Sequence, residues 1–438
     1  MTIYYVRKDG NDTTGDGSTG TPWLTVAKAL ATVTTGGHTV RIGAGTYAED
    51  NGSGLLTVAW NASALGITLE SESGNVDDVI IQGASNATYN ILCQGNSRYV
   101  TWNNITFGCR VATNSSAIRL TAAHHYTFTG CKFQRPNSGA AAAAVLLIPS
   151  GATDSINTVT FTDCTATGVA AGRGWLIDRL TVGRTVDTIT LTNCVCNSTT
   201  SSTPLSVKMA TNVTITGGTY VGDTYGILFG VDGTGETVNA TGTISGVTIA
   251  SNNHTLMVGN GTENVTVTGC QITAGIYGIV VKECAGATVT GNSINITRSD
   301  LANPRGILFK AATGATVTGN TIRNSANVST NTGMLMVSAG DTGNKSGTIT
   351  CTGNNVYAGP GFLYNIGDDA ADSGGCVFNS NRYQVKGGGW GVIRGTSVTS
   401  LYAARAAWDT YGDGTNDDNS TLIGSDDAAF IILMRGRR

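Results

Sequence analysis

Proline and charge are what this sequence has least of. Six prolines and 13% charged residues in a chain of 438 compare with about 5% and about 25% in ordinary globular proteins. Scarce proline, with 60 glycines on no period of three, excludes collagen. Sparse Lys, Glu and Leu argue against a coiled coil or helical bundle. Disorder is disfavoured, because a net charge of −3 with 40% apolar residues leaves ample material for a core. The same balance offers no basic field to nucleic acid. The longest apolar run, Ala140 to Pro149, is half a bilayer span, so no membrane insertion is expected. Met1-Thr-Ile-Tyr-Tyr-Val6 enters strand-like sequence without a signal-peptide core, which makes folding in a host cytoplasm the expectation. Ten cysteines without a CxxC pair fall far below a disulfide scaffold.

What is abundant is Gly, Thr, Ser, Asn and Val, the material of strands and tight corners. One phrase recurs, as in Tyr126-Thr-Phe-Thr-Gly-Cys131, Val265-Thr-Val-Thr-Gly-Cys270 and Ala315-Thr-Val-Thr-Gly-Asn320. The residue after its corner forms a column of Asn104, Cys131, Cys164, Cys194, Gly218, Val247, Cys270, Asn292, Asn320, Asn354 and Asn381, in steps of 22 to 34 residues. Eleven copies with period-2 alternation predict a solenoid of stacked strands. A second strand keeps its own place after a glycine, as in Gly226-Ile-Leu-Phe229, Gly278-Ile-Val-Val281, Gly306-Ile-Leu-Phe309 and Gly333-Met-Leu-Met336. Short strands joined by loops of varying length describe an all-β, right-handed parallel β-helix of about 11 to 13 coils.

With these repeats, and with the opening Tyr4-Tyr-Val-Arg-Lys-Asp-Gly-Asn-Asp12 and Thr21-Pro-Trp-Leu-Thr-Val-Ala-Lys-Ala-Leu30, the chain resembles the pectin-lyase-like right-handed β-helix superfamily. The resemblance implies a cap over residues 1–55 with a short helix, a β-helix over 56–395, and a closing segment over 396–438. In that last segment Leu401, Ala404, Trp408 and Tyr411 fall on one helical face. Members of the superfamily include lyases, hydrolases, epimerases, phage tailspikes and adhesins, so the likeness bears on fold more than on activity.

Stacking places equivalent residues about 4.8 Å apart. Asn292, Asn320, Asn354 and Asn381 are therefore expected as an inward amide ladder, and Cys131, Cys164 and Cys194 as a packed thiol ladder. Thr-x-Thr pairs such as Thr288/Thr290 and Thr316/Thr318 would form an outward hydroxyl lattice. The second strand is apolar at every position, as strands buried on both faces are. Its outward column is read as Leu176, Ser206, Leu228, Met257, Val280, Leu308, Leu335 and Leu363, an exposed stripe suited to lateral packing in a homotrimer. Beside it runs Asp178, Lys208, Gly230, Gly259, Lys282 and Lys310. Asp178, Lys282 and Lys310 are the catalytic candidates there, because superfamily lyases use an outward basic residue to take a proton beside a sugar carboxylate. Adjacent acids at Asp77/Asp78, Asp368/Asp369 and Asp417/Asp418 lie in turn-like segments and make poor hydrolase pairs. The loops Asp9 to Asp16 and Asp413 to Asn419 carry oxygen ligands of the Ca²⁺ type without EF-hand spacing. No metal or cofactor is expected, Ca²⁺ being the one ion those loops suit.

The leading expectation is a phage virion protein of tailspike or fibre kind, trimeric, meeting other virion proteins and cell-surface polysaccharide. An enzyme of the same fold, a polysaccharide lyase or glycoside hydrolase acting outside the cell, is the alternative. An ice-binding solenoid presenting the Thr-x-Thr face is a third.

Overall fold

The computed structural model describes residues 1–50, 56–60, 65–84, 89–94, 97–108, 116–134, 143–149, 154–167, 172–178, 184–198, 202–231, 240–298, 304–325, 333–338, 346–358, 364–366, 377–385, 391–393, 396–398 and 421–422. The chain divides into two compact units, Met1–Val221 and Gly222–Arg438. Each repeats three short strands per coil. In the first unit Ala123–Thr129, Lys132–Gln134 and Ala143–Leu147 make one coil. Ser155–Thr162, Thr165–Thr167 and Arg173–Ile177 make the next. Each strand pairs in parallel with its equivalent. In the second unit Thr266–Thr268, Gln271–Ala274 and Tyr277–Lys282 are followed in the same way by Thr288–Thr290, Ser293–Ile296 and Arg305–Lys310. Three parallel sheets result, called below the threonine sheet, the short-strand sheet and the apolar sheet in the order the chain meets them in these coils. Among the described strands, Gly391–Ile393 with Thr396–Val398 is an antiparallel pair.

The expected opening helix is Val26–Thr32. Thr25 caps it, its hydroxyl accepting from Lys28 N at 3.1 Å. The Glu49 carboxylate accepts from Val26 N at 2.8 Å and Ala27 N at 2.9 Å. Three of the amides that a helix start leaves orphaned are thus satisfied. Glu49 is only 1% exposed, and burial pushes its carboxyl above the ordinary value. The expected closing helix around Leu401 to Tyr411 lies outside the described residues, as do the acids Asp368, Asp369, Asp413, Asp417 and Asp418.

The chain turns from the threonine sheet into the short-strand sheet through one left-handed residue per coil. Gly130, Asp163, Asn193 and Gly217 hold this place in the first unit and Gly269, Gly291, Gly319 and Gly353 in the second, all with φ between 52° and 66°. Glycine, asparagine and aspartate are the residues that tolerate this region at least cost, which explains why the repeated phrase carries them there. Asn104, with φ of 53°, belongs to this corner column and not to the inward one. Ile105, fully buried, is the inward residue of its coil.

Inside the first unit the coils enclose an aromatic core. Phe128 stacks on Phe161 at 4.9 Å and meets Phe133 edge-on at 5.7 Å, while Phe107 stacks on Phe133 at 5.3 Å. The second unit uses aliphatics instead, with Val267, Val289 and Val317 in successive rungs. The apolar sheet also departs from the expected register. Gly333 pairs with Arg305, so Leu335 faces Ile307 and Met336 takes the rung beside Leu308. The register column of Leu308 therefore continues with Met336, then Asn365. Leu335 falls in the register column of Ile307, and Leu363 lies outside the described residues.

Candidate functional site

The apolar strands bury both faces within a single chain. Leu176 is 8% exposed, Leu228 7%, and Met257 and Val280 2% each, with Ser206 fully buried and Leu308 half-buried. In the first unit Leu176 packs with Ala143, Leu146 and Ile148. In the second, Tyr225, Tyr277 and Leu308 pack against Leu228, Met257 and Val280. The stripe expected as an open lateral interface is thus closed by the chain itself. Burial on both sides was the correct reading of the continuous apolar pattern, and the burial comes from within.

At the head of these strands, sequence reasoning missed an aromatic ledge. Tyr225, His254 and Tyr277 occupy one register column. Their rings stack at 5.3 and 4.5 Å, and Arg305 follows on the next rung. All four are half-buried. The column is visible in sequence as the residue one before Gly226, Gly278 and Gly306, a place that chemically unlike residues share.

At the tail of the strands Lys282 and Lys310 are register partners. Lys282 is only 5% exposed and Lys310 half-buried. Asp178, in the first unit, is 7% exposed and stands 3.9 Å from Lys208 Nζ. That distance makes it a counter-ion to the lysine of the next coil. The two lysines are brought side by side, whereas Asp178 is matched with Lys208. Among the described residues no group of three His, Cys, Asp or Glu side chains is placed to hold a metal ion. In the N-terminal loop Asp12 accepts from Leu24 N and Thr25 N, and Asn11 from Thr13 N and Thr14 N. These oxygens serve the turn.

Both inward ladders are present. Asn292 Nδ2 donates to Asn320 Oδ1, Asn320 to Asn354 and Asn354 to Asn381, each at 2.9 Å. The Cys131, Cys164 and Cys194 thiols donate to the carbonyls of Trp102, Phe128 and Phe161 at 3.3, 3.4 and 3.6 Å. Eight cysteines are free and buried. Burial pushes the Cys93 and Cys196 thiols up to about 12 and that of Cys164 upward as well, while Cys194 is raised first by its contact with the Cys164 thiol and then by burial. With ten cysteines in all and eight of them buried, no more than two (ten less eight) are expected to react quickly with a thiol reagent in native buffer. The rest should lag by about 100-fold until denaturant is added, since the thiolate is the reactive form. Fast titration of more than two would contradict the burial.

The threonine sheet presents its rows outward. In the first unit Thr39, Thr68, Thr101, Thr127, Thr160, Thr190 and Thr214 are successive register partners. In the second, Thr243, Thr266, Thr288, Thr316 and Thr350 do the same. A charged margin borders the first-unit row, three residues upstream of each threonine: Arg98, His124, Asn157 and Asp187. Next to it Tyr99 and His125, both at positive φ, stack at 4.6 Å with an interplanar angle of 3°. Neither His124 nor His125 is among the site candidates named from the sequence. Their common offset from the Thr-x-Thr pairs was the signal.

Burial holds the His124 imidazole below its ordinary 6.5, and nearby Arg98 and His125 add to the depression. A base depressed on folding contributes stability that is present above the unfolded value and lost as pH falls through the folded one. His124→Asn is accordingly expected to flatten the stability profile between about pH 7 and about pH 5, read by urea midpoints at each pH. An unchanged slope would remove His124 as its source.

The family described as a protein of unknown function (DUF1565) matches residues 8–189. No curated protein matches the chain. Among solved structures, tailspike protein 3 of bacteriophage CBA120 is similar at a TM-score of 0.53 and 14% identity, over 98% of this chain and 62% of that one. The chain has the right-handed parallel β-helix fold. This β-helix is also similar to the A-module of the mannuronan C-5 epimerase AlgE4 from Azotobacter vinelandii. The TM-score there is 0.50 at 14% identity, over 81% of this chain and 87% of that one. A rhamnogalacturonan lyase is similar at 0.46 and 13% identity, over 68% and 83%. At such identities the likeness is one of fold.

Proposed function

We propose that this β-helix binds an extracellular polysaccharide along its outer surface in the manner of a tailspike, as part of a phage particle. The observation that carries the reading is the ledge of Tyr225, His254, Tyr277 and Arg305, which repeats polar ring edges and a guanidinium at the pitch of the coils. A polymer lying along the coils meets an aromatic or guanidinium face on each of these rungs. Lengthwise similarity to a tailspike supports the same reading. The closed Leu228 to Val280 stripe gives no reason for lateral packing along it, so the proposal rests on the glycan contact and not on a trimer. The threonine rows of the first unit, bordered by Arg98, His124 and Asp187, suit a polar solute better than ice.

Lys282 beside Lys310 favours a second reading, in which the chain also cuts or modifies the polymer. Incubation with a panel of capsular, uronate and neutral glycans separates the two. Saturable retention without new chain ends is the expected result. New ends or new epimers, lost in Lys282→Ala, would establish the enzyme. Retention of no glycan on the panel would overturn the binding reading.

A further inference from the structure

The margin of the threonine sheet in the first unit is the strongest unassigned feature. The molecule carries a net charge of −3, yet Arg98, His124 and His125 gather on adjacent rungs about 4.8 Å apart. Arg98 and His124 are register partners, and His125 follows His124 in the chain and stacks on Tyr99, the residue after Arg98, so the three groups stand on two neighbouring rungs. Arg98 and His124 are half-buried and His125 exposed. The carboxylates nearest in sequence or register are Asp154 and Asp187. Asp187 is two rungs from His124 and accepts from Thr211 Oγ1 and Asn212 Nδ2, both at 2.7 Å, and from Thr188 Oγ1 at 3.1 Å. Its charge is therefore engaged on its own side of the ladder. Between it and His124 stands the neutral Asn157.

The stacked Tyr99 and His125 rings form a rigid wall beside this cluster. Both hold a left-handed backbone, an arrangement that costs energy for residues other than glycine. Gly66 occupies the equivalent place in the preceding coil, with φ of 69°, and carries no side chain to cover the outer face of Tyr99. A cationic cluster, an aromatic wall and a row of threonine hydroxyls from Thr101 to Thr190 thus lie side by side.

Resting on the polysaccharide reading above, we propose that Arg98, His124 and His125, with the Tyr99 wall, form a second glycan site that takes carboxylate-bearing sugars. The guanidinium fork of Arg98 pairs with both oxygens of a carboxylate. The His124 imidazole adds a charge-assisted donor once protonated, the His125 ring adds a further polar edge, and the threonine row meets the hydroxyls of neighbouring sugars. Nucleic acid is the less suitable anion, because phosphate-backbone binding draws on many cations along a track, and here they are three in one place.

The test is equilibrium binding of the full chain to a carboxylated, a sulfated and a neutral polysaccharide of matched length, and to single-stranded DNA. Affinity for the carboxylated chain is expected to exceed that for the neutral one. It should rise several-fold from about pH 8 to about pH 5.5 as the His124 imidazole protonates. At about pH 5.5 Arg98→Gln and His124→Asn should each weaken it by about 10-fold, while leaving thermal melting at about pH 8 and the affinity for the neutral chain in place. His124→Asn should also remove most of the pH dependence, which a merely structural role would not do. Glycan binding that ignores both substitutions would overturn this site and leave the polysaccharide reading standing. Binding to no glycan would overturn both. Preference for the sulfated chain or for DNA would overturn the carboxylate assignment.

Discussion

Asn320→Ala is expected to cost about 3–5 kcal/mol, the larger part of a typical domain's stability. Asn320 is fully buried and serves four bonds. Its Nδ2 donates to Val289 O and Asn354 Oδ1, each at 2.9 Å. Its Oδ1 accepts from Asn292 N and Asn292 Nδ2, again at 2.9 Å. Alanine would leave the two Asn292 donors without partners and remove the amide bond to the Val289 carbonyl, whereas Asn354 Oδ1 keeps the bond from the backbone of residue 320. Each orphaned group costs about 1–3 kcal/mol. Because stacked repeats unfold in part as well as whole, the loss should appear both in the urea midpoint and in faster amide exchange along Thr288–Thr290 and Thr316–Thr318. A loss under about 1 kcal/mol would mean that water enters the ladder and restores the bonds.

Phe128→Ala should cost a comparable amount, about 3–5 kcal/mol, by a different route. The ring is fully buried and touches four others: Phe161 at 4.9 Å, Phe133 at 5.7 Å, Phe107 at 5.9 Å and Tyr126 at 6.1 Å. Removing it opens a cavity between coils whose backbones are fixed by parallel pairing on both sides, so little collapse can fill the space. Phe128→Leu retains most of the volume and should cost about 1–2 kcal/mol. Urea titration of both variants, with near-ultraviolet circular dichroism for the aromatic stack, checks the order. Equal losses would show that ring–ring geometry matters more than volume.

The amide ladder was legible in the sequence because one residue type repeats at one place, and the register then dictates the bonds. The Asn104 misplacement shows where that logic fails. Asparagine suits both the left-handed corner and the inward rung next to it, so identity alone does not fix the phase. Leu335 was misassigned for a related reason. Glycine was used to align the apolar strands, but Gly333 pairs with Arg305, and a residue without a side chain leaves the phase of its strand undetermined. The cluster at Arg98, His124 and Asn157 escaped notice because its members differ chemically. Burial of the stripe at Leu228 and Met257 escaped too, since Tyr225 and Tyr277, which pack against it, stand at a place in the repeat that His254 and Arg305 also occupy, so no single residue type marks it.

The asparagine ladder has a direction. Each amide nitrogen donates to the following coil and each amide oxygen accepts from the preceding one, so every rung offers its successor the same socket. Residues 292–319 form a cassette bounded by two such sockets. A tandem copy would insert a coil whose amide finds both neighbours ready, making the length of the chain a matter of counting cassettes and leaving its surfaces free to diverge one coil at a time.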